Sequence, residues 1–490
     1  ALQHERSICL EDRRFYSIAG AQWEGPLGDQ FENKPRFEFN KVHLSVIRII
    51  NEWRNNRITV DFIPKDGSTN LELADTCDGL YRADEQDSGA QEAYDNAFEE
   101  AVGGGFGAWR LRAEYEDDDD DENERQRICI EPIFDADSSV FFDLDAKRQD
   151  KADAKRCFVL ASYTPEAFEA EFGHNPTDWP KAVQQREFDW STPEVVYVAE
   201  YYRVEEVPET IHVFRGLDGE EMRVPGQQLK DDEDKLDELL ATGFRLVRQK
   251  RVKRRRVHKY ILSGAQVEED CGLIAGRCIP VIPVYGKRWF VDNIERCMGH
   301  VRLAKDAQRL MNSLLSWLTE IAARFDTEKP ILTPEQVNGH AAMWAQDNVK
   351  RFPYLLLNQI RDGNGDPVAG TAQPLAYTKA PNVPPAMAAL IQIASQALDD
   401  LLGNQQAGEQ LQPNQSGKAV ELVQNRLDMQ VFIYMSNMAK AMKRCGEVWL
   451  SMAKDVLIED ERKMKMVATD GEIDTVTLRQ PTIDPKTGEQ

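Results

Sequence analysis

The last third of the chain constrains the fold most. Two apolar helical segments flank a non-helical insert and lead through a polar loop into a very long helix. From Val291 the residues Val291, Ile294, Met298, Val301, Ala304, Met311, Leu314, Leu318, Ile321 and Phe325 recur at helical spacing, with Asp292, Glu295, Arg302, Lys305 and Arg309 on other faces. At 1.5 Å per residue, this predicts one amphipathic helix of about 50 Å over 291–325. A Pro/Gly-punctuated segment follows, then a short apolar helix after Pro384 and Pro385 that stops at Gly403. A Gln/Asn-rich loop then leads into about forty helical residues from Ser416. Helices of this length cannot all fold back into one compact globule, so the expectation is that they pack against copies of the same chain.

At 490 residues the chain exceeds what one hydrophobic core organises, and at least two domains are expected. An apolar fraction of 41% suffices for true cores. The formal charge is −24, from 84 acidic and 60 basic residues, which argues against gripping nucleic acid with the whole surface. A DNA partner would be held loosely. The eight cysteines are scattered without a CxxC pair and read as reduced, buried thiols of a cytoplasmic product rather than a disulfide framework. No signal peptide opens the chain and no run of eighteen apolar residues occurs; the most apolar stretch, 386–402, carries Gln392, Gln396, Asp399 and Asp400. The chain starts without methionine and ends on a turn-like segment, 481–485, so it reads as part of a longer protein.

Residues 1 to about 130 read as α+β. An aromatic-rich segment covers 16–23, and a helix over 41–53 starts after Asn40, whose side chain suits the orphan N–H groups of a first turn. A strand is expected at 58–63, ending at Pro64 and the Asp66-Gly67 turn. A second helix covers 90–102 and ends in the glycines Gly103 to Gly105. The stretches 108–115, 128–142 and 195–225 have strand patterns, the last with a hairpin turn at 216–219. The acidic run 116–122 reads as an exposed loop and 231–241 as a charged helix. Next comes a basic strand over 245–259, with nine Lys/Arg in fifteen positions. The apolar strand 278–285 carries Pro280 and Pro283, which suits an edge.

Few of these features carry chemistry. The triple glycine lacks the Lys-Ser/Thr of a phosphate loop and the GxGxxG spacing, and reads as a turn. Asp143 and Asp145, with Asp135 and Asp137 nearby, are the candidate metal-binding carboxylates; polar loop residues and caps are the favoured reading, and no metal or other cofactor is expected. No His pair has zinc spacing and no GxSxG elbow is present. The basic residues Lys250, Arg251, Lys253, Arg254, Arg255 and Arg256 have two readings of equal weight. They form either a polyanion contact or a strand that neutralises the acidic helix before it. The loop 404–415, with Gln405, Gln406, Glu409, Gln410, Gln412, Asn414 and Gln415, is longer than an ordinary helix connection. Its amides offer exchangeable hydrogen bonds to phosphates without the counterion release that Lys and Arg would bring. A plain connector is the alternative.

The order of these parts resembles the portal proteins of tailed bacteriophages, in particular the short-tailed, podovirus type of the Salmonella phage group. The resemblance rests on 15–23 (Phe-Tyr-Ser-Ile-Ala-Gly-Ala-Gln-Trp), on 34–41 (Lys-Pro-Arg-Phe-Glu-Phe-Asn-Lys) and on 141–154, which begins Phe-Phe-Asp-Leu-Asp-Ala-Lys-Arg. The sequence of helix, insert, helix, loop and long helix after Val291 completes it. The resemblance implies an α+β portal fold. In it 1–290 is the strand-rich wing and hip, 291–325 the first stem helix, 326–383 the clip insertion and 384–403 the second stem helix. The tunnel loop is then 404–415, the long kinked wing helix 416–457, and 458–490 the rest of the wing and the start of a crown.

It further implies a non-enzymatic ring of about twelve copies at one capsid vertex, assembled in the host cytoplasm and carried in the virion. Double-stranded DNA is packaged and ejected through its channel, touched weakly and without sequence specificity. A terminase and a tail adaptor dock on the clip, for which Glu335, Gln336, Asp362 and Asn364 are the candidates, and coat and scaffolding proteins surround the ring. Leu314, Leu318 and Ile321 are the candidate ring-packing residues, and no membrane is involved. The competing expectations are a metal-dependent DNA-processing enzyme built on Asp143 and Asp145, and a non-portal tail or adaptor ring.

Overall fold

The computed structural model describes residues 2–64, 71–116, 125–175, 190–216, 221–225, 245–264, 266–324, 329–350, 352–378, 385–403, 417–457, 459 and 461–478. It is a mixed α+β chain of two compact units. One comprises 1–14, 46–302 and 414–490; the other comprises 15–45 and 303–413. In chain order the principal helices are α1 (Leu2–Ser17), α2 (Lys41–Asn55), α3 (Leu71–Asp87), α4 (Ala90–Gly103), α5 (Pro165–Phe172), α6 (Lys305–Arg324), α7 (Ala341–Lys350), α8 (Pro385–Leu402) and α9 (Gly417–Val456).

The first unit is built on two antiparallel sheets. The smaller has the order β2-β1-β9, from β1 (Phe106–Tyr115), β2 (Gln126–Ile133) and β9 (Val281–Tyr285). Helix α4 buries Ala90, Ala93, Tyr94, Ala97, Phe98, Ala101 and Val102 at helical spacing and packs on β1 and β2. Its alanines let the helix approach the sheet closely; a Cβ on Gly107 would lie 2.1 Å from the Ala97 carbonyl oxygen. Helix α9 also packs on this sheet and buries Met438, Ala441, Met442, Cys445, Val448, Trp449 and Met452. There Trp109 donates Nε1–H to Cys445 Sγ at 3.3 Å, and Trp449 meets Tyr81 and Phe62 at ring distances of 5.4 and 5.5 Å.

The larger sheet has the order β3-β4-β5-β7-β8, with β6 on β5. Its strands are β3 (Val140–Phe142), β4 (Arg156–Tyr163), β5 (Val196–Arg215), β6 (Glu221–Pro225), β7 (Arg245–Leu262) and β8 (Val267–Ile274). The long β5–β7 ladder runs from Ala199 opposite Leu262 to Arg215 opposite Arg245, with one bulge at Val213/Phe214. Val140, Phe142, Cys157, Val159, Tyr202 and Val257 form its inner face, in one core with Phe106, Ile133, Val281 and Tyr285 of the smaller sheet.

Two expectations fail here for identifiable reasons. The helix predicted to begin at Val291 begins only at Lys305; before it lies a hairpin of β10 (Lys287–Val291) and β11 (Ile294–Met298). Asp292 and Asn293 have φ of 52° and 62°, the left-handed pair of a type I′ turn, which reverses the chain with Val291 opposite Ile294. The segment 58–63 is not in a sheet: the Phe62 N–H donates to Asp78 Oδ1 at 2.7 Å instead of to a neighbouring strand. The helix α3 was not anticipated at all. By contrast the 41–53, 90–102, 386–402 and 416–457 helices appear within a residue or two of their expected bounds, as does the start of β5; β7 starts where expected and runs three residues further, to Leu262, and β9 takes the expected edge position. The acidic run 117–122, the charged segment 231–241 and the loop 404–415 lie outside the described residues.

The second unit centres on α6 and α8. Lys41 donates its backbone N–H to Gln308 near the start of α6, and its ammonium group to Ser395 and Asp399 near the end of α8, so the two helices run antiparallel. Met311, Leu314, Met387, Ala394, Leu398 and Leu402 are buried on them. The intervening insert is closed at its base by β12 (Pro330–Ile331) on β13 (Ala376–Tyr377).

Candidate functional site

The helix pair and its insert concentrate the features that a single chain leaves unfinished. On α6 the polar residues Gln308, Asn312 and Ser316 recur every fourth position and are all buried. Each accepts a backbone N–H from every second residue of the extended segment before α2: Lys41 to Gln308 Oε1 (3.2 Å), Phe39 to Asn312 Oδ1 (3.1 Å) and Phe37 to Ser316 Oγ (3.0 Å). The match is geometric, since four helical residues rise about 6 Å and two extended residues span about 6.7 Å. Gln308 also donates to the Phe39 carbonyl at 2.8 Å, so the segment is held by donors and acceptors together. This polar ladder was not read from the sequence, although a buried amide stripe beside an apolar one was its visible signal.

Of the candidate packing residues on α6, Leu314 is spent inside this unit, while Leu318 and Ile321 are half-buried. The exposed apolar stripe is a different one: Leu303, Leu310 and Trp317 at seven-residue spacing, with Leu390, Ile393 and Leu401 exposed on α8. That spacing is the one by which helices present a seam to a partner.

In the insert, a four-residue helix (Pro334–Val337) follows Thr333, whose backbone N–H is capped by the Gln336 side chain from inside the helix. Gln336, expected at a docking surface, is wholly buried. Its Oε1 accepts from Thr333 N, and its Nε2 donates to the carbonyls of Thr371 and Gln373 at 3.0 and 3.1 Å. Its role is to tie the start of this helix to the turn segment at 371–373, which corrects the expectation of surface contact. Glu335, Asp362 and Asn364 are exposed. The Asp362-to-Gly365 turn is present, closed by Gly365 N to the Asp362 carbonyl at 2.7 Å, with Gly365 at φ 87°. Tyr354, Leu356, Leu375 and Tyr377 add exposed apolar surface nearby.

The basic strand proves to be part of a charge ladder. Lys253 pairs with Glu206 (3.2 Å), Arg254 with Glu209, Arg256 with Asp455 (2.6 Å) and Lys259 with Glu200 (3.2 Å). The neighbour it neutralises is therefore β5 with one residue of α9; the acidic segment 231–241 lies outside the described residues. Lys250, Arg251 and Arg255 are exposed and have no ion pair among the described residues. Gln405, Gln406, Glu409, Gln410, Gln412, Asn414 and Gln415 are outside the described residues, but Gly403 ends α8 in the left-handed conformation at φ 64°, as a helix C-cap does.

Of the candidate metal-binding carboxylates Asp145 is exposed, and the other three are occupied otherwise. Arg13 pairs with Asp135 (2.9 Å), Asp137 (3.0 Å) and Glu100 (3.3 Å), and Asp143 accepts from Lys155 N at 3.2 Å. Burial pushes Glu100 up to about 7 against the pull of Arg13, and pushes Asp137 up as well. Among the described residues no cluster of His, Cys, Asp and Glu has the makings of a metal site. The triple glycine is a turn whose carbonyls face inward. The Gly104 and Gly105 oxygens accept from Gly299 N and Gly286 N, and a Cβ on Gly105 would meet the Met298 carbonyl carbon at 2.5 Å. All eight cysteines are free; five are buried, and Cys77, Cys271 and Cys278 are half-buried. No helix among the described residues is long and apolar enough to cross a membrane.

Two comparisons bear on these surfaces. The phage P22-like portal protein family matches residues 1–490. A relative named "Portal protein", from Acyrthosiphon pisum secondary endosymbiont phage 1, is 39% identical over 492 residues, covering 99% of this chain and 68% of the relative.

Proposed function

The chain belongs to the phage P22-like portal protein family, and from that premise we propose that it is a ring-forming portal subunit, with about twelve copies at one capsid vertex. The family is a structural, non-enzymatic component of the phage particle, so catalysis through Asp143 and Asp145 is not part of this reading. The ring forms the channel through which double-stranded DNA is packaged and ejected. Helices α6 and α8 are its stem and 326–383 its clip, the platform on which terminase docks during packaging and the tail adaptor afterwards. The loop 404–415 reaches the channel, and α9 and the sheets form the wing and hip. Coat and scaffolding proteins are the remaining partners during assembly in the host cytoplasm.

One observation carries the ring: the exposed residues Leu310 and Trp317 on α6, continued by Leu303 in the turn just before it, on a helix whose other apolar side is already buried in its own unit. A helix needs one apolar face to pack within a subunit. A second, at seven-residue spacing, needs a neighbour. Replacing Leu310 and Trp317 by Asp is expected to leave circular dichroism unchanged and to convert rings to single chains in light scattering. Rings that survive this double change would refute the stem interface.

A further inference from the structure

In a chain of formal charge −24, the first unit gathers Arg148, Lys440, Lys443 and Arg444 around one cavity of about 320 Å³, with Gln149, Asp150 and Glu447 completing its lining. Four cations face two carboxylates. Both walls are fixed. On one side the loop after Ala146 is pinned by Asp153, which accepts from Lys147 N (2.7 Å) and Arg148 N (3.0 Å). The same loop is anchored from beneath by Lys151, whose buried ammonium group binds the Ala146 carbonyl and Glu295. Arg148 holds Asp150 through two hydrogen bonds of 2.9 and 2.6 Å. On the other side α9 is locked by the burial of Ala441, Met442 and Cys445. Lys440 spans the walls, with Nζ at 3.2 Å from both Gln149 Oε1 and Asn437 Oδ1.

Arg444 is the uncommon member. It is 7% exposed, yet it pairs with Glu447 at 3.2 Å, a carboxylate that is itself half in solvent. One such bond engages a single guanidinium nitrogen and leaves the planar fork open toward the cavity. Lys443, exposed beside it, has no hydrogen bond or ion pair among the described residues. The Asp150 carboxyl is held down at about 2, by Arg148 first and in part by Arg444, as expected beside a concentration of positive charge.

We propose that this cavity is an anion site for linked phosphate groups, with Arg444 as the fork and Lys440 and Lys443 as flanking point charges. Phosphate presents more acceptor oxygens and more charge per volume than a carboxylate, and so uses a guanidinium and two ammonium groups at once. The cavity is larger than a single phosphate requires, which favours two in succession. That chemistry is offered both by free pyrophosphate and by adjacent phosphates of a nucleic-acid backbone. The site lies within the sheet-bearing unit and does not depend on the ring or the channel.

The test is calorimetric titration of the assembled full chain with pyrophosphate at low salt, beside Lys440→Gln/Lys443→Gln and Arg444→Gln, with thermal melts to confirm folding. The unaltered chain should bind, the exposed double-lysine variant about tenfold or more weakly, and Arg444→Gln more weakly still. A second arm measures association with a short DNA duplex as a function of salt. If backbone phosphates enter the cavity, the double variant lowers the slope of log K against log salt by about 1.8, from about 0.9 per cation. An unchanged slope with weakened pyrophosphate binding supports the site with free phosphate as its source. Absence of pyrophosphate binding, equal binding by folded variants, or displacement by a glutamate-rich peptide at lower concentration would overturn the proposal.

Discussion

The sheet-bearing unit and the unit of the helix pair α6 and α8 close their interiors by different means. In the first, Trp53, Trp109 and Trp449 are among the largest buried side chains, and apolar contacts of Phe62, Tyr81 and Phe98 surround them. In the second, wholly or almost wholly buried Gln308, Asn312, Ser316 and Gln336 fasten backbone to side chain, while Trp317, Ile393 and Tyr354 stay exposed. A large aromatic core is non-directional and holds its unit without help. Polar staples set register, but they add only about 1 kcal/mol each over water. The second unit therefore reads as one made to be completed by neighbours, and the first as one closed by its own core.

The comparison breaks most visibly at Trp449. Truncation to Ala removes a fully buried ring and the donor to Asp84 Oδ2 (2.7 Å), and should cost about 3–5 kcal/mol in urea denaturation. A loss below about 1 kcal/mol would mean that the aromatic cluster does not hold the first unit together.

Asp84 provides the next test, because its carboxyl is buried against Trp449 in the aromatic core. Burial pushes its carboxyl from 3.8 up to about 7, against the Trp449 hydrogen bond. Between about pH 4 and pH 7 the folded chain then holds a proton that the unfolded chain has released. Stability falls as pH rises through that window and is level above it. Asp84→Asn should remove Asp84's share of this slope, leaving that of Glu100, and make the chain more stable at pH 8 by up to about 4 kcal/mol, with little difference at pH 4. Urea midpoints at the two pH values measure it; parallel shifts of variant and parent would show that Asp84 is ionised without penalty.

On α6, Asn312→Ala leaves the Phe39 N–H and the Gln22 side-chain oxygen without their partner. The expected cost is about 1–3 kcal/mol, the same at pH 5 and pH 8 because no charge is involved. A pH-dependent loss would assign these polar staples an electrostatic role that the geometry does not give them.

What the sequence made legible follows the same division. The long helices, β5, β7 and the Asn40 cap, whose Oδ1 accepts from His43 N at 3.0 Å, are local patterns and were readable. The hairpin 287–298 was not, because Val291, Ile294, Met298 and Val301 satisfy a helical period while Asp292-Asn293 supplies the turn that overrides it. Helix α3 escaped because Asp78 and Asp84 occupy buried positions and break its apolar stripe; each is held there by a donor far away in sequence. The polar ladder along α6 and the burial of Gln336 also rest on partners distant in the chain. Composition marks a Gln as surface by default, and only tertiary donors and acceptors reverse that.

The smallest effects expected lie on the β7 ladder, where a single strand carries both habits. Arg254 is half-buried against Glu209, whereas Arg255, one residue on, is exposed with no ion pair among the described residues. Arg254→Gln leaves Glu209, with 17% of its side chain exposed, beside a neutral group, and should cost about 1 kcal/mol. Arg255→Gln should stay within about 0.5 kcal/mol, as surface changes do. DNA association sorts the two the other way. If the exposed cations touch a polyanion, Lys250→Gln, Arg251→Gln and Arg255→Gln together lower the salt slope by about 2.7, while Arg254→Gln leaves it unchanged. A slope that falls equally for Arg254→Gln alone would show that the paired and unpaired faces of the strand are not distinct. A slope that none of them moves would leave β7 with one role, neutralising the acidic face of β5.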